Sequence, residues 1–161
     1  MSKRMRIAVP LFLVMSALGL PAQTDTAQVP DTTSVREKLI GSWHLISRDE
    51  QYADGKTQTR TDAAGVIMYT ADGHMAVQIM LPEKSEAPNN PVQYQQAGYE
   101  AYQGTYTIDE KAHTVTHHVE SALVRSLIGK DLTRVYRFEG KRLILKSSRT
   151  DEHWTIIWEH N

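Results

Sequence analysis

The 161 residues, 40% of them hydrophobic, suffice for one well-buried core and are too few for two ordinary domains. With 18 Lys and Arg against 19 Asp and Glu the formal charge is −1, and setting aside the three basic residues of positions 1–22 leaves 15 against 19, which excludes the basic excess expected of a nucleic-acid binder. There is no cysteine, which excludes disulfides, thiolate metal sites, a cysteine nucleophile and lipid attachment at an N-terminal cysteine.

Lys3, Arg4 and Arg6 precede an apolar stretch over 7–20 and a small-residue site at Leu20-Pro21-Ala22, the pattern of a secretory signal peptide over residues 1–22. The stretch falls short of the roughly 20 residues of a spanning helix. Its expected fate is removal, leaving a periplasmic or secreted chain with no transmembrane segment. Residues 23–33 are mostly Thr, Gln, Asp and Pro and predict a flexible leader. The folded domain is then expected over 34–161.

Ser34 and Glu37 have capping-box spacing and predict a short helical turn up to Ile40. Alternating runs follow at 43–48, 65–70, 75–81, 101–108, 114–120, 132–138, 142–147 and 154–159, with a further strand or two between 51 and 61. Asp54-Gly55, Asp72-Gly73 and Glu139-Gly140 supply hairpin turns. The expected fold is all-β, a single antiparallel up-and-down barrel of about 8–10 strands with one or two helical turns. Two segments break the rhythm. Residues 82–98 form a long polar loop with Pro82, Pro88 and Pro91, and 121–130 place Leu123, Val124, Leu127 and Ile128 at helical spacing.

Alternate residues of a closed barrel point inward, so the more apolar phase proposes a lining. It begins with Trp43 and Leu45, Val66 and Met68, then Met75, Val77, Ile79 and Leu81. Tyr102, Gly104, Tyr106 and Ile108 follow, with Val115, His117 and Val119, and then Leu132, Arg134, Tyr136 and Phe138. Leu143, Leu145, Trp154, Ile156 and Trp158 complete it. His117 and Arg134 are its polar outliers, and a buried polar group must find a partner. Three roles stand open for His117: a structural histidine bonded to a tyrosine hydroxyl, a group orienting a ligand, or a proton-transfer catalyst. Arg134 is either a surface residue or an inward cation that needs an anion or a ring of acceptors. With Tyr102, Tyr106 and Tyr136 these two would form an apolar pocket with a few convergent polar groups, the usual make-up of a small-molecule site.

A zinc site is not expected. His117 and His118 face opposite sides of a strand, and His113 lies about 13 Å from His117 at roughly 3.3 Å per residue. His118 and Glu120 share the outer face, where they are read as solvated or strand-paired. No metalloprotease helix, P-loop, dinucleotide fingerprint or nucleophile elbow is present, and no cofactor is implied.

The segment Leu39-Ile40-Gly41-Ser42-Trp43-His44-Leu45-Ile46-Ser47 resembles the opening strand of the lipocalin-like domain family, with its glycine-x-tryptophan pattern. Met68 to Met75, with Gln78 to Pro82, and Ala101 to Thr107, Thr114 to Glu120 and Trp154 to Glu159 are similar to the same family in the same order. His74 departs from it, standing in the Asp-Gly-x-Met turn where the family more often carries arginine. The resemblance implies a calycin-like barrel with a central cavity. It leaves the reaction open, since barrels of similar shape include cyclases and isomerases. Trp43 is expected to plug one end of the barrel, with its N–H bonded.

Binding of a small hydrophobic or aromatic compound is the leading expectation. A cofactor-free isomerase or cyclase would use the same cavity, with His117 or a tyrosine moving protons and Arg134 stabilising an oxyanion. An envelope interaction module would instead use the 82–98 loop or an exposed edge.

Overall fold

In the computed structural model the described residues are 33–52, 54–82 and 92–161; the expected signal peptide, nearly all of the leader and the middle of the proline-rich loop lie outside them. The first element, α1 (Val35–Leu39), is set by its cap. Ser34 Oγ accepts from the Glu37 N–H at 3.2 Å, and Glu37 Oε2 accepts from the Ser34 N–H at 2.9 Å. One turn later the Leu39 carbonyl accepts from Trp43 Nε1 at 2.9 Å, which satisfies the indole as it closes one end of the core.

The strands are β1 (Gly41–Gln51), β2 (Thr57–Arg60), β3 (Ala64–Tyr69), β4 (His74–Met80), β5 (Tyr99–Asp109), β6 (Thr114–Ala122), β7 (Asp131–Glu139), β8 (Arg142–Ser147) and β9 (Trp154–His160). All are antiparallel, in the order β2-β1-β3-β4-β5-β6-β7-β8-β9, and β1 also pairs with β9. Eight strands thus close an up-and-down barrel, and β2 extends it as a hairpin on the second half of β1. Turn chemistry makes the meander: in the β3–β4 hairpin Gly73 takes a φ of +92°, and the Thr70 N–H donates to the His74 carbonyl at 2.9 Å. Between β6 and β7 the chain makes one 3-10 turn, η1 (Arg125–Leu127), which drives Leu127 into the core and leaves Leu123 and Ile128 exposed.

The lining departs from expectation on two strands. On β3 the buried residues are Ile67 and Tyr69, while Met68 is 42% exposed and Val66 half-buried. Both phases of this strand are apolar, so alternation could not choose between them. Pairing does choose: Ile67 lies opposite Val77 and Tyr69 opposite Met75, and directly opposed residues share a face. On β1 a bulge between Leu45 and Ser47 inserts one residue and resets the phase. Trp43 faces inward before it, and Arg48 and Glu50 are buried after it.

Among the described residues no helix is long and apolar enough to cross a membrane.

Candidate functional site

Side chains from every strand except β2, together with Tyr94, converge on a small chamber inside the barrel, of about 20 Å³. Arg48, Glu100, Tyr94, Tyr102, His117 and Arg134 form its polar wall, and Ile67, Val77, Ile79, Leu145, Trp154, Ile156 and Trp158 its apolar one. The volume is about that of one water, far below the hundreds of cubic ångströms of a pocket for a whole ligand.

Of the five residues singled out from sequence, His117, Arg134 and Tyr102 meet here, and Tyr106 and Tyr136 do not. The Tyr106 hydroxyl donates to the Thr70 carbonyl at 3.0 Å, and its ring lies under the Arg36 guanidinium beside α1. Tyr136 packs on Phe138 and on His113, and its buried hydroxyl has no hydrogen-bond partner among the described residues. Being one turn of the alternation away from a site residue places a side chain inside the barrel, at a different level of it.

His117 is 1% exposed, with Nε2 at 2.8 Å from the Tyr69 hydroxyl and Nδ1 at 3.0 Å from that of Tyr102. Burial, and then the positive charge of Arg134, hold its pKa well below 6.5, so the ring is neutral. Both ring nitrogens are thus within hydrogen-bond distance of a tyrosine hydroxyl. The unfolded chain takes up a proton on this residue below pH 6.5 and the folded chain does not, so stability present above that pH is lost as the pH falls through it. The loss approaches about 1.4 kcal/mol per pH unit. Urea denaturation between pH 7 and pH 5 should therefore show a shallower decline for His117→Gln than for the parent; equal slopes would contradict a neutral buried His117.

Arg134 is buried, and among the described residues no carboxylate pairs with it. Its guanidinium lies 4.8 Å from the ring centre of Trp154 and 5.2 Å from that of Tyr94, two cation–π contacts, with one long bond of 3.4 Å from Nη1 to the Thr133 carbonyl. Burial opposes its charge, but the surrounding tyrosines Tyr102 and Tyr94, with Glu100, keep its pKa raised. The tyrosines respond the other way: burial outweighs the nearby Arg134 and pushes Tyr94 and Tyr102 each up to about 12.

Three further charged residues escaped the sequence reading. Arg48 bonds Glu50 through Nε at 2.6 Å and Glu100 through Nη1 at 3.0 Å, all three buried. Desolvation opposes the Arg48 charge, but Glu100 and then Glu50 more than offset it and raise the pKa. Glu100 carries a legible signal, being two residues before Tyr102 and so in its phase once β5 is begun at Tyr99. Arg48 and Glu50 carry none, because the bulge that turns them inward has no signature in the residues themselves.

Above the chamber lies a cleft of about 500 Å³, walled by Val92, Leu127, Leu132, Thr133 and Ser148 and edged by Lys130 and Arg149. Arg134 and Tyr94 line both spaces and so form the partition between them. Tyr94 belongs to the segment expected as a long loop, and its position is fixed by Glu152, whose carboxylate oxygens both lie 3.1 Å from the Tyr94 hydroxyl. Glu152 also accepts from Ser147 Oγ at 2.6 Å and Trp154 Nε1 at 3.2 Å, and pairs with Arg149 at 3.1 Å.

The three histidines do not converge. His117 points inward, His118 pairs with Asp131 across the outer face at 2.7 Å, and His113 occupies a turn at φ +54°. Among the described residues no group of three or more His, Cys, Asp or Glu side chains is placed to hold a metal ion.

Residues 40–160 match a family model described as a lipocalin-like domain. Among solved structures the chain is similar to a lipocalin-like protein from Bacteroides uniformis, at 15% identity over 77% of this chain and 99% of that one, with a TM-score of 0.45. An uncharacterized protein from Bacteroides eggerthii matches at 14% identity, covering 76% and 99% of the two chains, with a TM-score of 0.44. A structure of the fluorescent protein UnaG matches at 10% identity, covering 78% and 97%, with a TM-score of 0.40. No protein of curated description matches the sequence.

Proposed function

The chain belongs to the lipocalin-like domain family, and from that premise we propose that it binds a small, largely apolar molecule, seated in the cleft at the barrel mouth with its polar end turned toward Arg134 and Tyr102. The observation that carries this reading is the partition. A buried arginine without a carboxylate partner stands where a cleft large enough for a small ligand meets a chamber large enough for one polar atom. Its guanidinium, stacked on Trp154 and Tyr94 beside the Tyr94 and Tyr102 hydroxyls, offers a ligand oxygen a cation at that partition.

Titration with 1-anilinonaphthalene-8-sulfonate, a fluorescent reporter of apolar clefts, tests the reading. One saturable site is expected. Ser148→Trp, at an exposed position on the cleft wall, should weaken it at least about tenfold by filling the space, at little cost in stability because surface changes cost within about 0.5 kcal/mol. Arg134→Met should weaken a ligand that reaches the partition by about 1–3 kcal/mol, the scale of one charge-assisted hydrogen bond. Unsaturable binding, or binding indifferent to Ser148→Trp, would remove the cleft as the seat.

A further inference from the structure

The outer wall of the barrel is uneven in charge. Side chains alternate between the two faces of a strand and directly opposed residues share a face, so the pairing of β3, β4 and β5 arranges their outward positions in rows. One row runs Ala64, Met80, Tyr99 and another Met68, Ala76, Gln103. Between them Gln78 stands at the centre, flanked by Val66 and Ala101. None of these nine side chains is charged, and none is fully buried. Of the five exposed large apolar residues among those described, Met80 at 55% and Met68 at 42% belong to this grid. A third, Leu123 at 41%, borders it, with its N–H donating to the Ala101 carbonyl at 2.8 Å. The wall formed by β7, β8 and β9 differs, for it carries Lys146 and the ion pairs Arg137–Glu139 at 2.7 Å and Arg142–Glu159 at 3.4 Å.

What such a face can receive is decided by what would have to leave water. A charged surface laid on it would lose solvation and meet no opposite charge. A lipid surface would meet no lysine or arginine in the grid for its anionic head groups. A second copy of the same face satisfies both conditions, since it brings apolar side chains and no charge. The central residue suits itself as well. Gln78 accepts from the Tyr99 hydroxyl at 3.2 Å within the face, and a carboxamide both donates and accepts, so two copies related by a two-fold axis can pair it with itself.

We infer that the outer face of β3, β4 and β5 is a self-association surface, on which two copies of the chain pack face to face about a two-fold axis near Gln78. The grid measures roughly 14 Å by 17 Å at ordinary strand spacing and rise. It is therefore small beside the roughly 800 Å² per partner of a standard interface, and the dimer is a weak one, with a dissociation constant of about 10–500 μM.

Sedimentation velocity at concentrations from about 5 μM to about 1 mM tests it. One monomer–dimer equilibrium is expected, with no larger species, because a two-fold contact closes on itself. Met80→Glu puts a charge into the contact twice, once from each copy, and should weaken the dimer at least about a hundredfold. Met68→Lys, with the opposite charge in another row, should do the same, which separates the contact from any effect of net charge. Val135→Glu, the same kind of change at an exposed apolar position on β7, should leave the dimer unchanged. All three positions are exposed, so thermal unfolding of the variants should match the parent within a few degrees. A parent that stays monomeric over the whole range, or a dimer that Val135→Glu weakens and Met80→Glu spares, would overturn the inference. Binding to phosphatidylcholine–phosphatidylserine vesicles that Met80→Glu abolishes, with no dimer in solution, would assign the face to lipid and overturn it equally.

Discussion

Arg48→Met should destabilise the barrel by about 3–5 kcal/mol at neutral pH, a large share of the roughly 5–15 kcal/mol by which a domain of this size is stable. The reason is what remains behind. Glu50 and Glu100 are both buried and both bonded to the same guanidinium, so its removal deprives two buried carboxylates of the donor they share. Glu50 is already under-satisfied, since its Oε2 has no partner among the described residues. Methionine fills much of the volume and none of the charge. Replacing all three residues, as Arg48→Met with Glu50→Leu and Glu100→Leu, should recover most of the loss, because an apolar trio escapes the desolvation that the ion pairs only partly offset. Urea denaturation of both variants checks the pair of claims, and a single variant within about 1 kcal/mol of the parent would contradict the buried triad.

Gly104→Ala should cost about 3 kcal/mol or more, beyond the usual penalty for one extra methyl in a core. A Cβ at this position would stand 1.9 Å from the His118 carbonyl oxygen and 3.0 Å from the Glu120 nitrogen. Both are backbone atoms of the neighbouring strand, so no side chain can swing away to make room. The close approach coincides with the irregularity between Gln103 and Gly104 in the β5–β6 pairing, where the missing side chain lets the two backbones draw together. Gln103→Ala, on the exposed face next to it, should change stability by less than about 0.5 kcal/mol. Thermal unfolding of the two variants makes the comparison, and a similar midpoint for both would show that the strands can part at Gly104 cheaply.

The barrel itself was legible because its signals are local. Each hairpin turn, the alternation of β4, β6 and β7, and the capping box at Ser34 can be read within a few residues, and all reappear in the structure. His117, Arg134 and Tyr102 could be found for the same reason, as polar or aromatic residues in clean apolar phases. What stayed hidden depends on partners distant in sequence. Tyr69 is inward only because β4 sets the face of β3, and Arg48 and Glu50 are inward only because β1 bulges while paired to β9. Tyr94 and Glu152 lie in irregular segments, where no period exists to phase them, and they are joined across 58 positions.

The pairing of β1 with β9 bears on the order in which the chain can fold. His44 Nδ1 and Asn161 Oδ1, 117 positions apart, meet at 2.8 Å at the seam, and the His160 ring packs edge-on against Trp43. Apart from β1 with β3, which the short β2 hairpin separates, every other pairing around the ring joins strands consecutive in the chain, so hairpins can form one after another as each turn becomes available. The seam cannot. Until residues 154–160 are in place, β1 and β8 each present an unpaired edge, the geometry that invites pairing with another chain. Closure is therefore a late and slow event, governed by the search between two distant segments. Loss of the final strand would leave a curled open sheet with two sticky margins in place of a slightly shorter barrel.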